Sequence, residues 1–134
     1  MIFVDATKNA FIRGFDFKSR CSRSEYWWGY LGILLVSIVG GFLAGVVVAV
    51  LSGLLGWNLD TVLNSVILVL QLYISIISVS LFARRMHDID RSGWWYLLIF
   101  TVIGLFFILY WLCSKGDEGD NRFGTAPLLD NRRV

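Results

Sequence analysis

The sequence predicts an all-α membrane protein, a small polytopic helix bundle, and two observations carry that prediction. Of its 134 residues 57% are apolar and 16% charged, with a mean hydropathy of +0.68, which is outside the range of soluble domains this size. Three long stretches contain no Asp, Glu, Lys or Arg, and each is long enough as a helix to cross about 30 Å of hydrocarbon. We therefore expect one membrane domain, residues 1–134, with membrane lipid and not nucleic acid as its surroundings.

Residues 1–25 are predicted to form a cytoplasmic tail with a short helix lying in the membrane interface. Apolar or small side chains recur there at steps of three and four: Phe3, Ala6, Ala10, Phe11, Gly14 and Phe15. This amphipathic pattern is typical of surface helices, and an irregular tail is the alternative. Charged residues interrupt the whole segment, so it contains no apolar core of signal-peptide length. The first apolar segment must therefore direct its own insertion.

The first membrane segment, residues 26–56, follows a helix-start signal. Ser22 and Glu25 have capping-box spacing, which predicts a helix beginning at Arg23. The uncharged stretch would extend roughly 51 Å as one helix, so we expect it to end in a loop near residues 53–60. Small residues recur at every fourth position within it, at Ser37, Gly41, Gly45, Ala49 and Gly53. We name this set the small-residue ridge and expect it to pack against another helix; general glycine richness is the alternative.

The second membrane segment, residues 61–83, carries polar side chains on one side of the predicted helix. These are Asn64, Gln71, Ser75 and Ser78, which we name the polar stripe. Polar groups in lipid need partners, so we expect the stripe to face the protein interior or a water-filled groove. The segment has no charged residue in its middle, which favours hydrogen bonds between helices over a permeation path.

The third membrane segment, residues 92–114, has two possible topologies. It has aromatic residues at both ends and Gly104 near its middle, so it either spans once or breaks near 101–104 and returns as a re-entrant hairpin. The distribution of Lys and Arg bears on this choice. The N-terminal tail has five, the 84–91 block three, the 115–134 tail four, and the loop near Asp60 none. A hairpin puts all twelve on one side, as the positive-inside rule favours, whereas a spanning helix is the commoner arrangement. Both place the N-terminus in the cytoplasm.

Charged residues at the segment boundaries are the candidate functional site. We name the following set the charged cluster: Arg20, Arg23, Glu25, Arg84, Arg85, His87, Asp88, Arg91, Asn121 and Arg122. If the second helix continues through the block, Arg84 and Asp88 are four residues apart, as are His87 and Arg91, and can form ion pairs. The cluster would then lie at the headgroup level, where basic groups bind anionic lipid.

Three classes of function fit these features. The favoured class is a non-enzymatic binding or assembly module that holds anionic lipid or a partner protein, with the small-residue ridge joining helices of a second copy or another membrane protein. A small transporter or channel using the polar stripe is the alternative. The third is a membrane-embedded enzyme with His87 as general base, assisted by Asp88 or Asp90.

Several observations disfavour catalysis and metal binding. Adjacent residues on a helix point about 100° apart, so Asp88 cannot easily orient His87. The chain has no second His, and Cys21 and Cys113 lie in different segments without a metal-binding spacing. We therefore expect no catalytic residue, no metal, no cofactor, and two reduced cysteines.

Three blocks of the chain form a recognisable series: FKSRCSRSEYWW at 17–28, RRMHDIDRSGWW at 84–95 and GDEGDNRFGTAP at 116–127. In order and spacing they resemble the signature blocks of a bacterial inner-membrane family, the YhaH-like proteins, catalogued as domain of unknown function 805. The chain departs from that pattern at Ser19, at Met86, and at 101–104, where the family usually has an Ile-Pro turn. The resemblance implies a small polytopic protein of the plasma membrane and brings no established activity. The missing proline weakens the hairpin alternative.

Overall fold

The computed structural model describes residues 2–127, which form five helices. They are α1 (Phe3–Ile12), α2 (Arg23–Leu55), α3 (Leu59–His87), a 3₁₀ helix (Gly93–Phe100) and α4 (Val102–Cys113). The all-α prediction is confirmed. Residues 128–134 of the C-terminal tail lie outside the described part.

α2 and α3 form a long antiparallel hairpin whose ends are set by local signals. Ser22 Oγ accepts a hydrogen bond from the Glu25 amide at 3.3 Å, so α2 begins at Arg23 as predicted. Gly56 ends α2 in the left-handed conformation, with φ of 70°, and Asn58 caps α3 by accepting from the Thr61 amide at 2.9 Å. With 33 and 29 residues the helices extend about 50 and 44 Å. Both are long and apolar enough to cross a membrane.

α1 packs along the first third of α2 through small residues. A side-chain carbon on Gly29 would lie 3.4 Å from Ala10 Cβ, and one on Gly32 would collide with the Thr7 side chain. These contacts run in opposite chain order, so the two helices are antiparallel. The predicted N-terminal helix is confirmed, with Ala6 and Ala10 buried. Its position in the membrane interface stays a prediction.

The third apolar segment breaks at Thr101, which has an extended backbone between the 3₁₀ helix and α4. The Thr101 hydroxyl donates to the Leu98 carbonyl at 3.0 Å and accepts from the Gly104 amide at 3.1 Å. A side chain on Gly104 would collide with the Leu98 carbonyl oxygen, so only glycine fits this turn. A threonine hydroxyl and a glycine therefore make the break without the proline of the family pattern.

The two halves of this segment return to the same end of the molecule. The Trp95 and Trp111 rings lie 5.3 Å apart, and the Asp117 amide donates to the Asp88 carbonyl at 2.8 Å. The 3₁₀ helix extends about 16 Å and α4 about 18 Å, so neither alone crosses about 30 Å of hydrocarbon. Of the two arrangements open from the sequence, the structure has the break and return of a hairpin; its entry and exit on one side of the membrane stays a prediction.

The hydrophobic core lies at the end of the α2–α3 hairpin where all the elements meet. Its members include Cys21, Tyr26, Ile33, Ile77, Leu81, Met86, Ile108, Trp111 and Leu112. Away from this end the surfaces of α2 and α3 are apolar and exposed, as at Val39, Phe42 and Val69. Exposed apolar surface of this kind is what a membrane-inserted helix presents to lipid, whereas the buried core is confined to the end where the elements meet.

Gly32 provides a test of the α1–α2 contact. We expect Gly32→Ala to lower the free energy of unfolding by about 1–3 kcal/mol, because the new methyl group collides with Thr7. Gly40→Ala is the matched control, since its methyl group meets no atom within 4 Å and alanine favours the helix. Thermal unfolding in detergent, with hydrogen exchange of α1, measures both. Equal stability of the two variants would contradict the contact.

Candidate functional site

The structure brings the charged cluster together at one end of the bundle, in two layers. The inner layer is buried and consists of Arg20, Glu25, Arg84, Arg85, His87 and Asp88. The outer layer is exposed or half-buried and consists of Arg23, Arg91, Asn121 and Arg122. Because six of the ten residues are shielded from solvent, most of the cluster cannot contact lipid headgroups directly.

Asp88 lies between two buried guanidinium groups. Its Oδ1 accepts from Arg20 Nη2 at 3.2 Å, and its Oδ2 accepts from Arg85 Nη1 at 2.5 Å. Burial raises the pKa of Asp88, and the charges of Arg85 and Arg20 oppose that rise by favouring the carboxylate. The two guanidinium groups compensate the buried charge with direct hydrogen bonds.

The predicted pairs of Arg84 with Asp88 and of His87 with Arg91 are wrong, because Asp88 binds Arg85 and Arg20 instead and α3 ends before Arg91. The helix ends at His87, and the chain turns so that the Arg91 amide donates to the Met86 carbonyl at 2.9 Å. Asp88 therefore pairs three residues back, with Arg85, and across the fold with Arg20.

Arg85 also caps the C-terminal end of α4. Its Nε donates to the Leu112 carbonyl at 3.3 Å, and its Nη2 donates to those of Trp111 at 3.5 Å and Ser114 at 2.5 Å. The last carbonyls of a helix lack partners within it and carry partial negative charge. One guanidinium group thus holds the end of α4, the returning half of the hairpin, against α3.

Arg20 binds backbone carbonyls of the loop that follows α4. Its Nη1 donates to the carbonyls of Gly119 at 2.7 Å and Gly124 at 3.0 Å, and its Nη2 donates to that of Asp117 at 2.7 Å. Together with Asp88, the two arginines join the loop before α2, the end of α3, the end of α4 and the C-terminal loop. We name Arg20, Arg85 and Asp88 the buried clamp.

Arg84 is a fully buried guanidinium group with less compensation. Its Nη1 lies 4.0 Å from Glu25 Oε1, and within residues 2–127 none of its three side-chain nitrogens has a hydrogen-bond partner. Its backbone carbonyl accepts from the Cys21 amide at 3.0 Å and holds the loop before α2. Glu25 faces this charge, so the carboxylate half of the predicted capping box is used in the tertiary fold.

His87 is packed as a structural residue. Its ring stacks on Phe123 with 3.8 Å between centroids, and its Nδ1 lies 3.3 Å from the Ser19 carbonyl. Asp88 is held in the buried clamp, and Asp90 Oδ1 pairs with Arg122 Nε at 3.0 Å. Neither carboxylate proposed to assist His87 is therefore available to it.

The two cysteines differ in exposure. Cys21 is buried, which raises the pKa of its thiol well above the usual value, and Cys113 is exposed; both are free thiols. Within residues 2–127 no three His, Cys, Asp or Glu side chains are grouped as metal ligands would be.

The small-residue ridge and the polar stripe are not covered within one chain. Side-chain carbons added to Gly41, Gly45 and Gly53 would meet no atom within 4 Å. Asn64, Gln71 and Ser75 are exposed, and Ser78 is half-buried. In a single copy the stripe therefore does not face the bundle interior, and the packing of the ridge against another helix stays a prediction.

Sequence reasoning missed the backbone acceptors that the two arginines use and the stacking of Phe123 on His87. The available signal was the glycine spacing in the 116–127 block. A side-chain carbon on Gly116 would overlap Asp88 Oδ2, and Gly124 has a left-handed φ of 115°. These glycines let the C-terminal loop approach the clamp.

Gly116 gives a specific test of the buried clamp. We expect Gly116→Ala to lower the free energy of unfolding by about 3 kcal/mol, because the methyl group displaces the Asp88 carboxylate and breaks a buried ion pair. Gly119→Ala adds the same methyl group three residues away, where it meets nothing within 4 Å. Chemical unfolding in detergent compares them, and a Gly116→Ala protein as stable as Gly119→Ala would refute this role.

Comparisons with known proteins agree with this architecture. The family model described as "Protein of unknown function (DUF805)" matches residues 14–125. The chain is 33% identical to Inner membrane protein YhaH of Escherichia coli K12 over 121 residues, covering 85% of this chain and 88% of the relative. It is 34% identical to Inner membrane protein YhaI of the same strain over 112 residues, covering 83% and 85%. No solved structure matches significantly. The matched residues include all three members of the buried clamp. The chain belongs to the DUF805 family of inner-membrane proteins.

Proposed function

We propose that the protein is a non-enzymatic binding module. In this proposal α2 and α3 cross the inner membrane, and the charged cluster lies on its cytoplasmic side. Its working surface is the outer layer of the cluster, which binds anionic lipid headgroups. The buried clamp carries this proposal, because it makes one rigid platform from four separate segments at the membrane surface.

The charge distribution supports the orientation. Every Lys and Arg between residues 2 and 127 lies outside the stretch 24–83, so the turn at Gly56 has none nearby. The hairpin of the third segment returns residues 115–127 to the end that carries Arg84 and Arg85. Positive charge is retained on the cytoplasmic side of membrane proteins, which favours a cytoplasmic position for this whole end.

The outer layer has the chemistry of a headgroup site. The guanidinium of Arg91 lies 4.3 Å above the Trp111 ring, and Arg23 Nη1 donates to the Cys113 carbonyl at 3.3 Å. Both basic groups thus contact the last turn of α4, next to the half-exposed ring of Trp95. Arginine beside tryptophan at the membrane interface binds phosphate while the ring remains among the upper acyl chains.

The surroundings of His87 support a role without catalysis. Phe123 covers one face of its ring, and its Nδ1 lies 3.3 Å from the backbone carbonyl oxygen of Ser19. The groove of about 430 Å³ that it borders is lined mainly by apolar side chains such as Phe17, Val79 and Leu97. The contact at Nδ1 orients the ring, but no carboxylate contacts it and the groove beside it is mainly apolar, which does not favour a general base.

Cysteine labelling tests the topology. In a Cys113→Ser background, we expect Trp57→Cys to react with a membrane-impermeant maleimide from the periplasmic side. Asp90→Cys and Lys115→Cys should react only after the inner membrane is opened, because both residues lie at the charged end. Periplasmic labelling of Lys115→Cys alone would show that the third segment spans, and labelling of Asp90→Cys would reverse the orientation.

Lipid retention tests the working surface. We expect Arg91→Gln and Arg23→Gln each to reduce retention of phosphatidylglycerol or cardiolipin about fivefold, since a basic group near the surface contributes about 1 kcal/mol. Native mass spectrometry of protein released from vesicles of defined lipid measures this retention.

Two control variants distinguish a specific headgroup site from general charge attraction and from catalysis. Lys115→Gln removes the same charge from an exposed residue that pairs with Glu118, and it should have a smaller effect. His87→Gln should also leave lipid retention nearly unchanged. Equal losses in all four variants would indicate unspecific charge attraction, and a functional defect confined to His87→Gln would favour the enzyme.

A further inference from the structure

Two side-chain amides lie uncovered on the apolar part of α3, Asn64 in its second turn and Gln71 near its middle. Asn64 and Gln71 are both exposed, and around them the helix surface is apolar, as at Ile67, Leu68 and Leu72. With α3 crossing the membrane, as proposed above, Gln71 is near the bilayer centre, because it lies close to the midpoint of a 29-residue helix. An amide that faces hydrocarbon there loses its hydrogen bonds to water and gains none in return. Something other than lipid must therefore cover this face.

The small-residue ridge of α2 lies on the same side of the hairpin. On α2, Gly45 and Ala49 follow the buried residues Val48 and Ser52 by about 20–100° around the helix. On α3, the polar stripe follows Leu81, whose side chain packs at Gly29 of α2, by about 60–120° in the same rotational sense. Because the two helices are antiparallel, the same sense brings both stripes to one side of the pair.

The two stripes also match in depth. Gly45 precedes the turn at Gly56 by about as many residues as Gln71 follows it, so they lie at a similar level of the hairpin. A side-chain carbon added to Gly45 would meet nothing within 4 Å, so there is open space in front of the ridge. Small residues at this level let a neighbouring helix approach its backbone closely.

We propose that this side of the α2–α3 hairpin is the interface with a second copy of the chain. Two copies inserted in the same orientation are related by a two-fold axis along the membrane normal, so equal depths meet. A glutamine side chain both donates and accepts, which makes Gln71 complementary to the Gln71 of another copy. The ridge supplies the close approach, and the amides supply the hydrogen bonds.

The proposal is tested by the oligomeric state in lipid. Single-molecule photobleaching of labelled protein in vesicles should show dimers for the wild type. Gln71→Leu should weaken self-association at least about threefold, and Gln71→Asn, which keeps the amide, should weaken it less. Leucine is compatible with an apolar helix, so Gln71→Leu is expected to fold.

Paired variants of α2 test the ridge. Gly45→Leu should weaken self-association, whereas Val47→Leu, on another side of the helix, should leave it unchanged. A monomeric wild type, or dimers that tolerate both Gln71→Leu and Gly45→Leu, would overturn the proposal. So would reaction of Gln71→Cys with a water-soluble maleimide, which would assign the stripe to an aqueous path. The labelling of Trp57→Cys tests the insertion of α2 and α3 independently of these results.

Discussion

The carboxylate of Asp88 is the group on which the charged end of the molecule depends. It pairs with both Arg20 and Arg85, each of which binds backbone carbonyls of a segment distant in sequence. Transfer of one charge out of water costs several kcal/mol, so neither arginine would be stable there without the carboxylate. The carbonyl groups of α4 and the C-terminal loop would then also lose their donors. Three side chains thus determine where four segments meet.

The hairpin formed by the 3₁₀ helix and α4 depends most on the contacts of the buried clamp. The 3₁₀ helix and α4 are short, strongly apolar and mostly exposed, so burial within the protein holds them only weakly. Lipid is as apolar as their side chains and does not drive them onto α3. Specific polar contacts at the two ends therefore determine their position: the hydrogen bonds of Thr101 at the turn, and those of Arg85 at the end of α4.

The helices were predictable because local sequence signals define them. The contacts of the candidate site were less predictable because they depend on the tertiary fold. Hydropathy and the Ser22 cap are read within a few residues, and they predicted two long helices and the start of the first at Arg23. They did not predict that α3 continues to His87, beyond the expected end of its segment at residue 83. The partners of Arg84 and Arg85 differ because neighbouring residues on a helix point about 100° apart, and only the packed fold shows which one faces α4. Charge counts favoured the hairpin, but the missing proline weakened that prediction. The turn is formed instead by the Thr101 hydroxyl and by Gly104.

The two halves of the bundle satisfy their polar groups in different ways. At the charged end nearly every buried polar side chain among residues 2–127 has a partner within the chain, with Arg84 and its distant Glu25 as the main exception there. In the middle of the membrane segments, the polar side chains of α3 face outward from the single chain. The energetic requirement is stricter in hydrocarbon than at the headgroup level, where water and phosphate are available as partners. A single copy therefore leaves uncovered on α3 the polar groups that hydrocarbon would not satisfy, and this is the physical basis of the proposed dimer.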